Sequence, residues 1–313
     1  MSSSQSDLQK LINEKALAHL PIEGEIIEDC DLKLSRLNGL TIIDCSFKGS
    51  DFSQARFNKC LFKNQKFGGA NFSASYFYES VFENCFFDRA SMAKSSFIKC
   101  RFLNSFFHGA DFIKASFTSS QFEGPVVFSR LDFSSALFID NQFNSTCFEQ
   151  SALNLVLFRA CRFNSLSLIN CQAQQLLASD LKIAKFIAKG CDLSLACFSH
   201  SDLCGGSFKG QNLQGAFFNF TLLRQSDFSS ALLDGASFKQ ADLTGANLLS
   251  VSAKGADFSH CILTKTIVNK ADFSFANLHR AQGFNFSSDT CLNLVRPTDP
   301  DLARAEDFCP RVF

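Results

Sequence analysis

Cysteine and histidine are among the residue types in this sequence that could hold a metal ion or take part in catalysis. The 313-residue chain contains 14 cysteines and 5 histidines. No two cysteines form a C-x-x-C pair, the spacing typical of zinc ribbons and dithiol redox sites. The sequence also lacks the P-loop, dinucleotide-binding, nucleophile-elbow and H-E-x-x-H motifs. We therefore expect a protein that is not an enzyme, with no catalytic residue, no metal and no cofactor.

The cysteines share a spacing that explains them without metal chemistry. Most are separated by multiples of five residues, and a five-residue pattern runs through most of the chain. The pattern is clearest in 231–248, where Leu233, Phe238, Leu243 and Leu248 each follow an alanine by two positions. Cysteine takes the place of that alanine in other repeats, where it can pack as a small apolar side chain. We expect all the thiols to be unpaired, as in a reducing cytoplasm.

Two neighbouring segments carry a family resemblance. ADLTG at 241–245 and ANLLS at 246–250 resemble the A(D/N)LXX consensus of the pentapeptide-repeat family, and the resemblance extends over nearly the whole chain. It implies an all-β fold, a right-handed quadrilateral parallel β-helix with four pentapeptides per coil and roughly 13 coils. It also implies that the central Leu or Phe and the small residue two positions earlier point inward. The other three positions of each repeat would then face water.

The phase of the repeat predicts the domain organisation. One phase runs from Leu32 to Phe122, slips by one residue near 124–127, and resumes at Phe128. We interpret the extra residue, at a Gly-Pro pair, as a bulge at a corner of a coil. The prediction is an N-terminal capping helix over 1–21, a single solenoid domain over 22–283, and a C-terminal cap or tail over 284–313.

Both ends of the chain carry helix signals. Ser6 and Gln9 have the spacing of a capping box, and Pro21 ends the apolar pattern that follows. Near the other end, Pro300 would take the first position of a short helix. This C-terminal segment is expected to cap the solenoid or to help form a homodimer through its end.

The sequence of residues 172–189 is compatible with either a helix or coils of the solenoid. The stretch QAQQLLASDLKIAKFIAK could form an amphipathic helix with its lysines opposite an apolar side. In a solenoid, its inward positions are all apolar. Leu176 with Ala178, and Phe186 with Ala188, exchange the large and small positions and so keep the volume of the core. The preserved phase favours the solenoid over a helical insertion.

Residues 20 apart would stack on one face of such a solenoid, so outward positions can be followed as rows. One row is apolar over five coils, which indicates an interface, although any β-sheet surface tolerates some apolar residues. The candidate partner-binding residues are Tyr76, Tyr78, Leu137, Leu157, Leu177, Cys197, Phe217 and Phe220. A second outward row consists of Phe86, Phe106, Val127 and Cys147.

The charge balance restricts the partner. Lys and Arg total 30, as do Asp and Glu, so binding to nucleic acid or to a membrane is not predicted. The expected function is a rigid cytoplasmic scaffold that binds a protein partner through its outer faces. The family resemblance implies an alternative, since some Phe-rich members protect DNA gyrase or topoisomerase IV from quinolones as DNA mimics. A DNA mimic should be strongly acidic, and this chain is neutral.

Overall fold

The structure is a computed structural model that describes residues 14–15, 20–283 and 285–307. The capping helix predicted over 1–21 falls almost entirely on residues outside this set. The chain separates into two compact units, Met1–Gln172 and Ala173–Phe313. Each is built from coils of a parallel β-solenoid, so the predicted all-β fold is confirmed. The predicted boundaries at 22, 283 and 284 stay predictions.

The first unit contains two parallel sheets made of short strands. The strands of sheet A are β2 Arg36–Asn38, β4 Arg56–Asn58, β6 Tyr76–Tyr78, β8 Ser96–Ile98, β11 Ser116–Thr118, β13 Leu137–Ile139 and β15 Leu157–Arg159. Those of sheet B are β1 Ile22–Glu23, β3 Thr41–Ile43, β5 Leu61–Lys63, β7 Val81–Glu83, β9 Arg101–Leu103, β10 Phe107–His108, β12 Gln121–Ser129, β14 Gln142–Glu149 and β16 Arg162–Ile169. Sheet A has the order β15-β13-β11-β8-β6-β4-β2, and sheet B has the order β1-β3-β5-β7-β9-β12-β14-β16 with β10 beside β12.

The second unit has fewer continuous strands. It contains β17 Lys182–Ile183, β18 Phe186–Lys189 and a C-terminal helix, α1, Pro300–Asp307. Its coils are held mainly by single parallel bridges that recur every five residues along the chain.

The step between paired residues confirms the predicted coil of 20 residues. In the first unit, one column of partners has eight members: Ile22, Ile42, Phe62, Phe82, Phe102, Phe122, Phe143 and Phe163. In the second, a column has seven: Leu177, Cys197, Phe217, Ser237, Asp257, Asn277 and Arg296. The predicted total of roughly 13 coils differs slightly from the number of coils in the structure.

Most sides of a coil end at a corner whose backbone is left-handed. The second residue after the central one adopts a positive φ, as at Gln54 (58°), Ala74 (57°) and Lys94 (59°). This conformation costs a residue other than glycine about 1–2 kcal/mol. Hydrogen bonds between coils offset the cost, because the Gln54 N–H donates to the Ser73 carbonyl at 2.9 Å and the Ala74 N–H to the Ala93 carbonyl at 2.8 Å.

The core is filled by stacked phenylalanine rings. Phe57 and Phe77 stack at 4.4 Å between centroids, and Phe77 and Phe97 at 4.7 Å, each pair within 4° of parallel. Within one coil, Phe57 meets Phe62 edge to face at 5.6 Å. Both geometries are favourable for aromatic pairs. The predicted inward position of the large residue is therefore confirmed, and small residues such as Ala55 are buried beside the stacks.

The predicted phase slip is visible as one step of 21 residues. Phe122 pairs with Phe143, and the register shifts between Phe122 and Pro125. Gly124 has a φ of +88°, and a Cβ there would lie 2.7 Å from the Asn104 Oδ1. The extra residue is therefore taken up at a left-handed position that favours glycine, and the ladder resumes at Pro125 opposite Ser145.

The stretch that fitted two structures forms part of the solenoid. Leu176, Ala178, Phe186 and Ala188 are all buried. The Ala178 N–H donates to the Cys197 carbonyl at 2.8 Å, as expected for neighbouring coils. The exchange of large and small side chains keeps the core filled, because phase and total volume are both conserved.

Helix α1 begins where its sequence predicts. The Asp299 Oδ1 accepts hydrogen bonds from the N–H groups of Asp301 (2.9 Å) and Leu302 (3.1 Å), so Asp299 is the N-cap. Pro300 takes the first helical position, where its missing N–H costs no intrahelical hydrogen bond.

Candidate partner-binding faces

Four of the predicted partner-binding residues lie on sheet A of the first unit. Tyr76 and Tyr78 are the outward residues of β6, and Leu137 and Leu157 pair directly across β13 and β15. Tyr76 and Leu137 are 38% and 39% exposed, whereas Tyr78 and Leu157 are half-buried. The parallel ladder fixes the spacing of all four, so they form part of one rigid surface.

The other four predicted residues lie in the second unit. Leu177, Cys197 and Phe217 follow one another as bridge partners, and Leu177 and Phe217 are exposed. Cys197 is half-buried, with its Sγ 3.2 Å from the Ser179 Oγ. Phe220 is exposed at a corner, where its ring stacks on His200 at 4.7 Å. This unit therefore has its own apolar row.

The second predicted row lies on the first unit. Phe86 and Phe106 are bridge partners whose exposed rings stack at 5.1 Å. Val127 is exposed and pairs with Cys147, which is half-buried. Stacking removes part of each ring from water, but the outer edges of these side chains remain accessible.

A groove beside the tyrosines was missed by sequence reasoning. Arg36 and Arg56 pair directly across β2 and β4, and both are exposed. They line an open groove of about 510 Å³ together with Tyr76, Tyr78 and two asparagines, Asn38 and Asn58. In the described part of the chain, neither arginine has a carboxylate within ion-pair distance. Reading the 20-residue rows for charge, and not only for apolar residues, would have found this pair.

Charged residues at the neighbouring corner do pair with one another. The Glu79 carboxylate lies 3.7 Å from the Nζ atoms of both Lys59 and Lys99. A hydrogen bond from Tyr78, helped by the two lysines, lowers the pKa of Glu79. Lys99 also sits 5.6 Å from the centre of the Tyr78 ring. These contacts hold Tyr78 in one orientation at the edge of the groove.

A cluster of His260, His279 and Glu306 was also missed by sequence reasoning. Their ligand atoms lie within 4.8 Å of one another, a spacing that could suit a metal ion. The His279 Nδ1, however, accepts a hydrogen bond from the Asp299 N–H at 3.1 Å, so Nε2 carries the proton. A histidine that binds metal through Nε2 normally donates from its other nitrogen. Arg280, with its Nε 3.1 Å from the Glu306 carboxylate, adds a competing positive charge.

The arrangement around Glu306 fits an ion-pair cluster better than a metal centre. The Glu306 carboxylate lies 3.4 Å from the His260 Nε2 and 3.2 Å from the His279 Nε2. The hydrogen bond from His279, with the charges of His260 and Arg280, lowers the pKa of Glu306. The cluster therefore holds helix α1 against the last coils of the second unit. Its members come from distant positions, so no short motif signals it.

The cysteines behave as core residues. Of the 13 cysteines in the described part of the chain, eight are buried and five are half-buried. Burial raises the pKa of Cys85, Cys100 and Cys261 to about 12. A thiol with so high a pKa carries almost no thiolate at neutral pH and is a poor nucleophile and metal ligand.

Comparisons with known proteins agree with the five-residue pattern and the coil. The family profile described as "Pentapeptide repeats" matches in eight copies, and the matched residues include 55–93, 90–124, 191–229, 212–249, 222–259 and 254–282. These segments together cover more than half of the chain. The chain belongs to the pentapeptide-repeat family. A comparison with curated proteins gave no match.

Several solved structures of pentapeptide-repeat proteins are similar to this one. HetL from the cyanobacterium Nostoc sp. strain PCC 7120 is 16% identical, with a TM-score of 0.32 over 96% of this chain and 98% of its own. QnrB1, a plasmid-mediated fluoroquinolone resistance protein, is 17% identical, with a TM-score of 0.30 over 78% and 91%. A pentapeptide repeat protein from the Arabidopsis thaliana thylakoid lumen is 33% identical, with a TM-score of 0.26 over 33% and 72%. At these TM-scores the likeness carries no argument about function.

Among the described residues, no helix combines the length and the apolar character that spanning a bilayer requires.

Proposed function

We propose that this pentapeptide-repeat protein is a non-enzymatic, rigid scaffold that binds a protein partner through its outer faces. One observation carries the proposal: sheet A presents Tyr76, Tyr78, Leu137 and Leu157 outward at spacings fixed by the parallel ladder. Such a surface loses little conformational freedom on binding, so more of the contact energy is available for affinity. Tyrosine is also a residue type that often dominates interface energies.

The interior supports a binding role rather than a chemical one. Stacked rings such as Phe57, Phe77 and Phe97 fill the space between the sides of the first unit. Any ligand must therefore bind on the outside, where a protein partner can cover a large flat area. A reducing compartment such as the cytoplasm suits cysteines that pack in the core as small apolar side chains.

The test is the loss of partner capture by a surface variant. Leu137→Asp with Leu157→Asp places two charges in the apolar row of sheet A. Affinity capture from native lysate, followed by mass spectrometry, should lose the partner bound by the wild-type protein. Leu61→Asp with Val81→Asp is the matched control, because these residues are direct partners at the same slot in sheet B. Equal capture by wild type and the Leu137/Leu157 variant would contradict the proposal.

The alternative implied by the family is protection of DNA gyrase or topoisomerase IV from quinolones. A DNA mimic competes through acidic charge, whereas this chain has equal numbers of acidic and basic residues. A supercoiling assay with gyrase and a quinolone decides between the two. Protection by the purified protein that falls steeply with added salt would favour the alternative.

A further inference from the structure

The outer surface of sheet A combines a basic half with an apolar half. Each of its seven strands presents two outward side chains, and none of these is Asp or Glu. The first row is Arg36, Arg56, Tyr76, Ser96, Ser116, Leu137 and Leu157. The second row is Asn38, Asn58, Tyr78, Ile98, Thr118, Ile139 and Arg159.

The two corner rows that border the sheet add further positive charge. Lys59 and Lys99 lie at one edge, and Lys94 and Lys114 lie at the other, all exposed. Over the four rows the charged side chains are Arg36, Arg56, Lys59, Lys94, Lys99, Lys114 and Arg159 against Glu79 and Asp140. Since the whole chain is neutral, this excess of five positive charges is a property of one face.

The Arg36–Arg56 pair is the strongest feature of the basic half. Like charges directly opposite one another in a sheet are destabilising. In sheet B, by contrast, Lys63 faces an opposite charge, the carboxylate of Glu83 at 3.1 Å. Each of two guanidinium groups one strand apart can donate two parallel hydrogen bonds to the oxygens of one carboxylate. A bound carboxylate would remove the repulsion that the free protein carries.

We propose that the sheet A face binds an acidic segment of a protein that also carries apolar side chains. Its carboxylates would lie over Arg36 and Arg56, and its apolar side chains would lie over Leu137, Ile139 and Leu157. The inference rests on the proposed function and specifies the chemistry of the partner. Nucleic acid would satisfy the basic half but offers no aliphatic side chains for the other half, so a protein segment fits the whole face better.

The dimensions of the face set the length of the segment. From β2 to β15 the sheet has six strand-to-strand steps of about 4.8 Å, or roughly 29 Å in all. An extended chain advances about 3.4 Å per residue, so about nine residues cross the face. A 12-residue synthetic peptide with four glutamates at one end and four leucines at the other is therefore a suitable probe. It carries a fluorescein label for anisotropy measurements.

The experiment compares the full-length protein with two charge-reversal variants. Arg36→Glu with Arg56→Glu should weaken binding of the acidic peptide by about tenfold or more. Arg89→Glu with Arg162→Glu, which makes the same charge change on exposed residues outside the face, should leave the affinity unchanged. Added salt should weaken wild-type binding and have much less effect on the Arg36/Arg56 variant. Circular dichroism checks that each variant is folded, and Arg36→Gln with Arg56→Gln replaces the reversal if it is not.

The outcomes separate this inference from the proposed function. If Leu137→Asp with Leu157→Asp weakens peptide binding but Arg36→Glu with Arg56→Glu does not, the apolar contact stands and the acidic partner is wrong. Failure of the peptide to bind wild type, or equal binding of a peptide with lysines in place of the glutamates, also overturns the inference. Tighter binding of a 12-nucleotide oligo-dT that depends on the same arginines would point to nucleic acid instead.

Discussion

Removing one ring from the phenylalanine stack tests the origin of the stability of the first unit. Phe102 is buried and stacks on Phe82 at 4.9 Å and on Phe122 at 5.0 Å. Burial of a phenylalanine side chain contributes about 1.5–3 kcal/mol, and each stacked pair adds about 0.5–1.5 kcal/mol. The neighbouring coils are pinned by the ladder and cannot close the gap. We expect Phe102→Ala to lower the free energy of unfolding by about 3–5 kcal/mol.

Guanidinium unfolding measures this loss. It is followed by far-UV circular dichroism and not by intrinsic fluorescence, because the chain has no Trp and only 2 Tyr. Phe102→Leu should cost about 1–2 kcal/mol, because leucine keeps most of the volume and fills the same position at Leu203. Phe106→Ala is a control with the same chemical change on a side chain that is 53% exposed. A loss below about 1 kcal/mol for Phe102→Ala would refute the stack as a main source of stability.

Two further predictions concern titratable groups. Burial raises the pKa of the Cys85, Cys100 and Cys261 thiols to about 12, so they should resist a thiol reagent in the native protein and react at once in denaturant. Fast labelling of these positions in the native protein, mapped by mass spectrometry, would contradict this prediction. The pKa of Glu306 is lowered by folding, chiefly through its hydrogen bond from His279, so its stabilising effect is complete above about pH 4.5 and is lost as the pH falls through the folded value. The protection factors of the helix α1 amides, which correct for the intrinsic pH dependence of hydrogen exchange, should therefore fall on acidification in wild type, whereas Glu306→Gln should show lower protection factors already at neutral pH.

The inward positions could be predicted because one rule decides each of them. The five-residue phase assigned Phe186 and Ala188 to the core even though their sizes are exchanged, and both are buried. Burial depends on phase and total volume, which the sequence states directly. The C-terminal helix was equally accessible, because Asp299 and Pro300 are local signals.

The charged features were harder to predict for physical reasons. The cluster on Glu306 needs His260 and His279 from neighbouring coils and a helix docked beside them, and docking is not encoded in any short motif. The Arg36–Arg56 groove was within reach, since these residues are 20 apart. Net charge, however, is a sum over the whole chain and carries no information about position. A neutral total therefore concealed a strongly basic face.

The 20-residue step between ladder partners determines how such a chain can change in length during evolution. Duplication of one whole coil adds 20 residues and returns every later side chain to its own side. Duplication of a single pentapeptide would move all later residues to the next side and break every surface row at once. The single extra residue at Gly124 is a third case, because a local bulge accommodates it and the ladder continues after it. A binding face on this fold can therefore lengthen by whole coils, while the residues already in contact with a partner keep their places.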